Sequence, residues 1–172
     1  CAQMLDAFVT QKKLRSVFDL GCGDLTWIPS TQLFNNCNVF YTGVDIVPDL
    51  IQNHKLKHTH QTFICTDITE MQFSDTIMDL VVLRDVIFHL PCCKIKQLFA
   101  HLKGHFRYLA VTTCHNSINN DDLSNQYHFC TRNIHKPPFN IPTNTWEIQV
   151  QELKFNCSFQ MYAHNAFYAI NS

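Results

Sequence analysis

Glycine is scarce in this chain, with four residues among 172, and that scarcity excludes several nucleotide sites at once. No Gly-x-Gly-x-x-Gly is present, and no glycine-rich loop ends in Lys-Ser or Lys-Thr, so the dinucleotide fingerprint and the P-loop are both missing. Charge of one sign is also missing. Lys plus Arg number 13 against 14 for Asp plus Glu, a net charge of -1, which removes any whole-domain attraction to DNA or to an anionic membrane. No apolar run reaches the roughly 18 residues of a membrane span, and Cys1-Ala2-Gln3-Met4 has no basic stretch leading into an apolar one. A soluble, cytoplasmic protein is expected. The chain starts at Cys1 rather than Met, as a piece of a longer polypeptide would.

Nine cysteines are present, but no Cys-x-x-Cys. Their number is odd and they are scattered through strand-like and helix-like stretches, which predicts reduced thiols rather than a disulfide framework. His89, Cys92 and Cys93 lack the paired spacing of a zinc site, so no metal is expected. Hydrophobic residues at 46% and charged residues at 16% suit one packed domain over residues 1–172.

From Leu14 to Val111 short β-rich runs alternate with helical stretches, the pattern of βαβ units around a mostly parallel sheet. Strands are predicted at 16–20, 39–45, 62–65, 78–83 and 108–113. A short helix interrupted by Pro29 follows the first strand, and a helix is expected over 49–57 with Pro48 at its first position. Ile95, Leu98, Phe99 and Leu102 mark another helix, over 94–103, with Gly104 as its cap. Residues 115–145 are polar and broken by Pro137, Pro138 and Pro142, so they read as a long substrate-side loop, more lid than core. Runs at 147–155 and 159–170 are expected to pair as an antiparallel hairpin. The fold is therefore an α/β three-layer sandwich, Rossmann-like, with a seven-stranded, mostly parallel sheet.

Two of the four glycines, Gly21 and Gly23, sit two apart directly after the first strand, where backbone must approach a bound nucleotide in an open α/β sheet. Asp45 ends the second strand 22 residues after Gly23, placed to accept hydrogen bonds from ribose hydroxyls. Thr26 stands where a dinucleotide site has its third glycine, and Asp19 and Asp24 flank the turn with negative charge. Phosphates would be repelled there. A ligand carrying an amino group and a sulfonium would not.

Val17-Phe18-Asp19-Leu20-Gly21-Cys22-Gly23-Asp24, Tyr41-Thr42-Gly43-Val44-Asp45-Ile46 and Thr66-Asp67-Ile68-Thr69 resemble, in order and spacing, the first three motifs of the class I S-adenosylmethionine-dependent methyltransferases. Leu83-Arg84-Asp85-Val86-Ile87-Phe88-His89-Leu90 and Pro137-Pro138-Phe139-Asn140-Ile141-Pro142 extend the likeness to compact, mostly bacterial members. The resemblance implies S-adenosyl-L-methionine as cofactor. It implies Asp19, Gly21, Gly23 and Asp24 around the methionine half, Asp45 and Ile46 at the ribose, and Asp67 and Ile68 at the adenine. It also brings Trp27 and Arg84 to the cofactor, while Trp27, Phe139 and Trp146 are candidate pocket walls.

Asp85 and His89 are the candidate acid–base residues, four apart and on one face if that segment turns helical. His54-Lys55-Leu56-Lys57-His58 reads as a solvated helix end whose charge complements the dipole. The implied activity is methyl transfer to an unidentified acceptor, a small molecule or RNA. Two alternatives stand beside it. One is a cap-type RNA methyltransferase domain from a polyprotein, in which Asp85 and Lys12 or Lys13 would belong to a Lys-Asp-Lys-Glu set. The other is a catalytically silent, methyltransferase-like binding subunit.

Overall fold

The structure is a computed structural model describing residues 2–73, 77–116, 120, 129–143, 146–152 and 157–163, the strand at 146–152 by its backbone alone. Seven strands form one sheet: β1 Ser16–Leu20, β2 Phe40–Asp45, β3 Thr62–Cys65, β4 Met78–Leu83, β5 Phe106–Cys114, β6 Trp146–Glu152 and β7 Cys157–Ala163. Their order is β3-β2-β1-β4-β5-β7-β6. The first five pair in parallel, and β7 runs antiparallel between β5 and β6, as the expected C-terminal hairpin requires.

Parallel strands are covered on both faces, so β1 and β4 read as nearly continuous apolar runs. On one face lie α1 Ala2–Gln11, α2 Gln32–Asn35 and α3 Pro48–Lys57, whose Leu5, Phe8, Leu33 and Ile51 pack on Val17, Leu80, Val82 and Phe159. On the other, α4 Cys92–Leu102 sets Ile95, Leu98, Phe99 and Leu102 against Leu20, Val81, Leu83 and Val111. Each layer buries an apolar stripe that neither helix nor strand could hide alone.

Helix α1 was not anticipated, although Leu5, Phe8 and Val9 carry its buried face at helical spacing. The helix expected around Pro29 shrinks to α2. There the Thr31 hydroxyl accepts the Phe34 amide, and the Asp6 carboxylate accepts the Gln32 and Leu33 amides at 2.8 and 2.9 Å. A side chain from α1 thus caps α2, a long-range device invisible to a local reading.

At the amino-terminal ends of the strands Asp79 ties three segments together. Its Oδ2 accepts the Arg15 and Ser16 amides at 2.7 and 3.2 Å, and its Oδ1 pairs with Arg107 at 2.8 Å. Burial opposes this charge, but those bonds outweigh it and hold the Asp79 carboxyl below its ordinary value.

The expectation of reduced thiols fails at one pair. Antiparallel register sets Cys114 opposite Cys157, and the two form a disulfide between β5 and β7. Among the described residues Cys22, Cys37, Cys65, Cys92, Cys93 and Cys130 take no part in a disulfide. Among the described residues no helix is long and apolar enough to cross a membrane, and no His, Cys, Asp and Glu group could hold a metal ion.

Candidate active site

The carboxyl ends of β1, β2 and β4 converge at the turn Gly21-Cys22-Gly23. Gly21 (φ +83°) and Gly23 (φ +57°) both take the left-handed conformation that glycine adopts without penalty. They serve different ends. A Cβ on Gly21 would lie 1.8 Å from Val86 Cγ2, so the missing side chain lets the loop after β4 close onto the loop after β1. A Cβ on Gly23 would meet nothing within 4 Å, so its backbone faces open space.

Asp45 fixes this turn. Its Oδ2 accepts the Gly23 amide at 2.9 Å and its Oδ1 the Val47 amide at 3.0 Å, while the Val44 carbonyl accepts the Gly21 and Cys22 amides at 2.7 and 3.0 Å. From the helix side His54 Nε2 lies 2.8 Å from the Gly23 carbonyl, which fixes its tautomer as the Nε2–H donor. His54 is 6% exposed, in contact with the Phe63 ring, so it is not part of the solvated end expected of residues 54–58. Lys55 and Lys57 do face water. The sequence signal for His54 was its place at i+3 from Ile51, the buried stripe of α3.

Asp19 lies beneath the turn, 1% exposed, with Oδ2 accepting the Tyr41 hydroxyl at 2.8 Å. Burial pushes its carboxyl up to about 7, against the lowering effects of Tyr41 and the more distant Arg84 charge, with Asp45 adding to the rise. Cys22 is likewise pushed up, by burial first and then by Asp19 and Asp45, so its thiol stays protonated. The floor of the site is therefore one where burial disfavours ionisation of both groups and no cation is in direct contact with Asp19 among the described residues.

The other predicted cofactor residues surround this floor unevenly. Asp24 is exposed, and its Oδ1 turns back to accept the Thr26 amide at 3.1 Å. Ile46 is 63% exposed after β2, and Ile68 is buried at 8%. Asp67 Oδ1 accepts both the amide and the hydroxyl of Thr69 at 2.8 Å, and Gln97 of α4 holds that loop through the Thr69 carbonyl at 2.9 Å. The Arg84 guanidinium sits 5.1 Å from the Trp27 ring centroid, and Trp27 packs edge-on against Phe159. Phe139 instead packs on Phe99 in the α4 layer, away from Trp27, and the side chain of Trp146 lies outside the described residues.

No regular helix follows β4 to align Asp85 with His89. Asp85 takes φ +61°, its amide bonds the Thr112 hydroxyl at 3.1 Å, and its Oδ2 lies 3.4 Å from Arg84 Nη1. A single 3-10 turn, Ile87–His89, follows, leaving His89 exposed beside Phe129 at 5.5 Å. Lys12 and Lys13 lie at the opposite ends of the parallel strands from Asp85, so neither completes a Lys-Asp-Lys-Glu set with it.

Of the long polar stretch, residues 117–119, 121–128, 144 and 145 lie outside the described residues. Residues 129–143 form no helix or strand, and four of them are anchored in the core, more than a pure lid needs. Arg132, Asn133, Ile134 and Ile141 are buried. The Arg132 carbonyl accepts the Cys114 amide at 2.7 Å, its guanidinium donates to the Leu90 carbonyl at 3.0 Å, and Ile134 bonds Thr113. Side-chain bonds from Asn120 to the Asn133 and Pro137 carbonyls, both 2.8 Å, fasten the segment, and the Pro137–Pro138 peptide is cis.

A family model described as a methyltransferase domain matches residues 18–110, more than half of the chain. The chain belongs to the class I S-adenosylmethionine-dependent methyltransferases. No curated protein matches it. Among solved structures this methyltransferase domain is similar to the PH0226 protein from Pyrococcus horikoshii OT3, at 17% identity, covering 93% of this chain and 87% of that one with a TM-score of 0.65. A TehB-like SAM-dependent methyltransferase from Corynebacterium glutamicum is similar at 12% identity, 92% and 86% coverage and a TM-score of 0.60. The plantazolicin methyltransferase BpumL in complex with SAH has 19% identity and a TM-score of 0.53, and this domain covers 45% of its length. These likenesses establish a shared fold.

Proposed function

We propose that the domain transfers a methyl group from S-adenosylmethionine to an acceptor received beside Asp85 and His89. The observation that carries this reading is the buried Asp19 carboxylate under an open glycine turn. Its raised pKa marks a site that is electrostatically incomplete, and a cationic ligand completes it. The residues fit the cofactor in other respects. Gly23 leaves room for close backbone approach, and Asp45 keeps lone pairs on a half-exposed carboxylate for ribose hydroxyls. Asp67 has no bond to its Oδ2 among the described residues, leaving an acceptor for the adenine amino group. Arg84 supplies the cation that a ligand carboxylate needs.

Held by these residues, S-adenosylmethionine would supply an electrophilic methyl on a sulfonium for the acceptor's electron pair, with S-adenosylhomocysteine as the leaving group. The protein's part is largely alignment and exclusion of water. Trp27 with Arg84 walls one side, and Asp85, held by Thr112 and Arg84, orients an acceptor proton or amine. His89 is the exposed group able to accept that proton. Six described cysteines outside any disulfide favour a reducing, cytoplasmic setting, with Cys114–Cys157 the exception.

The test has two stages. Calorimetry with S-adenosylmethionine and S-adenosylhomocysteine should give saturable heats without added metal, and Asp45→Ala should weaken both by about 10- to 150-fold, the range for loss of a charged hydrogen-bond partner. Labelled cofactor offered with pooled metabolites, RNA and protein then identifies the acceptor. Absence of heat and of thermal shift with both ligands would refute the reading, whereas binding without label transfer would favour a silent binding subunit.

A further inference from the structure

At the amino-terminal ends of the strands, away from the glycine turn, a cleft of about 580 Å³ opens between the C-terminal end of α1 and the loop entering β2. Lys13, Arg15, Asn36, Asn38 and Phe40 line it. Phe40 presents a ring that is 74% exposed, a flat apolar face offered to solvent. Lys13 and Arg15 enter no ion pair among the described residues, and the acid beside them, Asp79, is occupied by backbone amides and Arg107. Exposed aromatic and uncompensated cations therefore share one concave surface.

Lys13 is also held there against backbone preference. The Leu14 amide bonds the Val9 carbonyl at 2.9 Å and the Lys13 amide bonds Thr10 at 3.2 Å, which makes Lys13 the left-handed residue, φ +52°, of the turn that closes α1. Glycine is the residue such a position favours. Lysine there gives up backbone stability and places a cation at the cleft, where it also faces the dipole of α1.

We propose that this cleft binds a nucleoside phosphate, with the base stacked on Phe40, its polar edge toward the Asn36 and Asn38 amides, and the phosphate against Lys13 and Arg15. Sequence-tolerant stacking beside a cationic patch is how single-stranded nucleic acid is held, and one nucleotide offers the same ring face and phosphate. The site does not rest on the methyl-transfer reading, because five residues of β1, about 16 Å of strand, separate it from the glycine turn. A free mononucleotide and a nucleotide within a single-stranded RNA offer the same chemistry.

The full chain is titrated at about 50 mM salt, where phosphate contacts are weakly screened, with AMP, with inorganic phosphate and with a short single-stranded RNA. AMP should bind saturably and more tightly than inorganic phosphate. Phe40→Ser should weaken AMP about 5- to 150-fold, as loss of one stacked base does. Lys13→Gly should raise the melting temperature while weakening AMP about 2- to 5-fold, opposite signs that a purely structural lysine would not give. RNA binding at least about tenfold tighter than AMP assigns the site to a strand, and equal affinity assigns it to free nucleotide. No saturable binding of AMP or RNA, equal binding of AMP and inorganic phosphate, or indifference to Phe40→Ser would overturn the proposal. S-adenosylhomocysteine affinity should stay unchanged in these variants, so failure here and failure at the methyl-transfer site remain distinct results.

Discussion

Replacing Asp19 by Asn should make the ligand-free protein more stable at alkaline pH and worse at binding its cofactor. The carboxyl has an ordinary value of 3.8 and is pushed up to about 7 by burial. Between these values the folded state keeps a proton that the unfolded state has released, so stability falls as pH rises from about 4 through 7. Below about 4 both states are protonated and nothing is lost. Above about 7 the full gap applies, about 4 kcal/mol at 1.36 kcal/mol per pH unit. Asn keeps an acceptor for the Tyr41 hydroxyl and does not titrate. Its advantage over Asp should therefore be about 2 kcal/mol at pH 5 and about 4 kcal/mol at pH 8, a growth of roughly 5–10 °C in melting temperature for a chain of this size.

Urea unfolding of both proteins at several pH values between 5 and 8 measures this directly. The same ionisation governs ligand binding. A cationic ligand needs Asp19 charged, so wild-type affinity for S-adenosylhomocysteine, whose amino group is protonated, should fall about tenfold per pH unit below 7 and level off above it. The Asn variant should bind about 10- to 150-fold more weakly at pH 8, with little dependence on pH. A stability difference that stays constant from pH 5 to 8, together with pH-independent wild-type affinity, would refute the account of Asp19 as an incomplete charge.

The two glycines of the turn should separate by the same logic: Gly21→Ala drives a methyl into Val86 and should cost more than about 3 kcal/mol, whereas Gly23→Ala meets open space and should cost about 1–2 kcal/mol of backbone strain, both read by urea unfolding. His54→Ala removes the donor to the Gly23 carbonyl and should weaken S-adenosylhomocysteine several-fold by calorimetry, with His54→Gln recovering part of the loss through its own amide N–H. Asp79→Ala strips the acceptor from the Arg15 and Ser16 amides and should destabilise the fold by about 1–3 kcal/mol at pH 7 without changing S-adenosylhomocysteine affinity. Because the Asp79 carboxyl lies below its ordinary value, that difference should disappear as pH falls through it, which acid titration of both proteins will show.

The parallel core was legible because its signals are local. Val17 to Leu20 and Leu80 to Leu83 are strand-like runs that no helix period fits, and all seven strands appear near their expected places. The glycine turn was legible too, since only four glycines exist and two of them fall after the first strand. What escaped notice depends on partners far apart in sequence. Asp6 caps a helix 26 residues away, His54 reaches a carbonyl 31 residues away, and Cys114 meets Cys157 only once β7 enters the sheet. Arg132 is another such case: a polar loop composition hid a side chain that is 0% exposed and bonded to Leu90.

The two ends of the sheet have been put to different uses, and the polar residues at each show it. At the amino-terminal end Asp79 is saturated with donors and its carboxyl is driven down, so its charge stabilises the fold and Asp79 itself needs no ligand cation. At the carboxyl end Asp19 has, among the described residues, a single neutral donor in Tyr41 and is driven up. A sequence selected for stability alone would have placed Asn or an apolar residue there, since an ionised buried carboxylate without a cation destabilises. The asymmetry is chemical rather than topological, because both acids sit on neighbouring parallel strands with similar apolar flanks. What distinguishes them is that Gly23 opens the backbone above Asp19 to a ligand, whereas the Arg15 and Ser16 amides close the space around Asp79. On the proposed function, this incomplete charge beside an open backbone is the place that the fold keeps for the cationic group of its ligand.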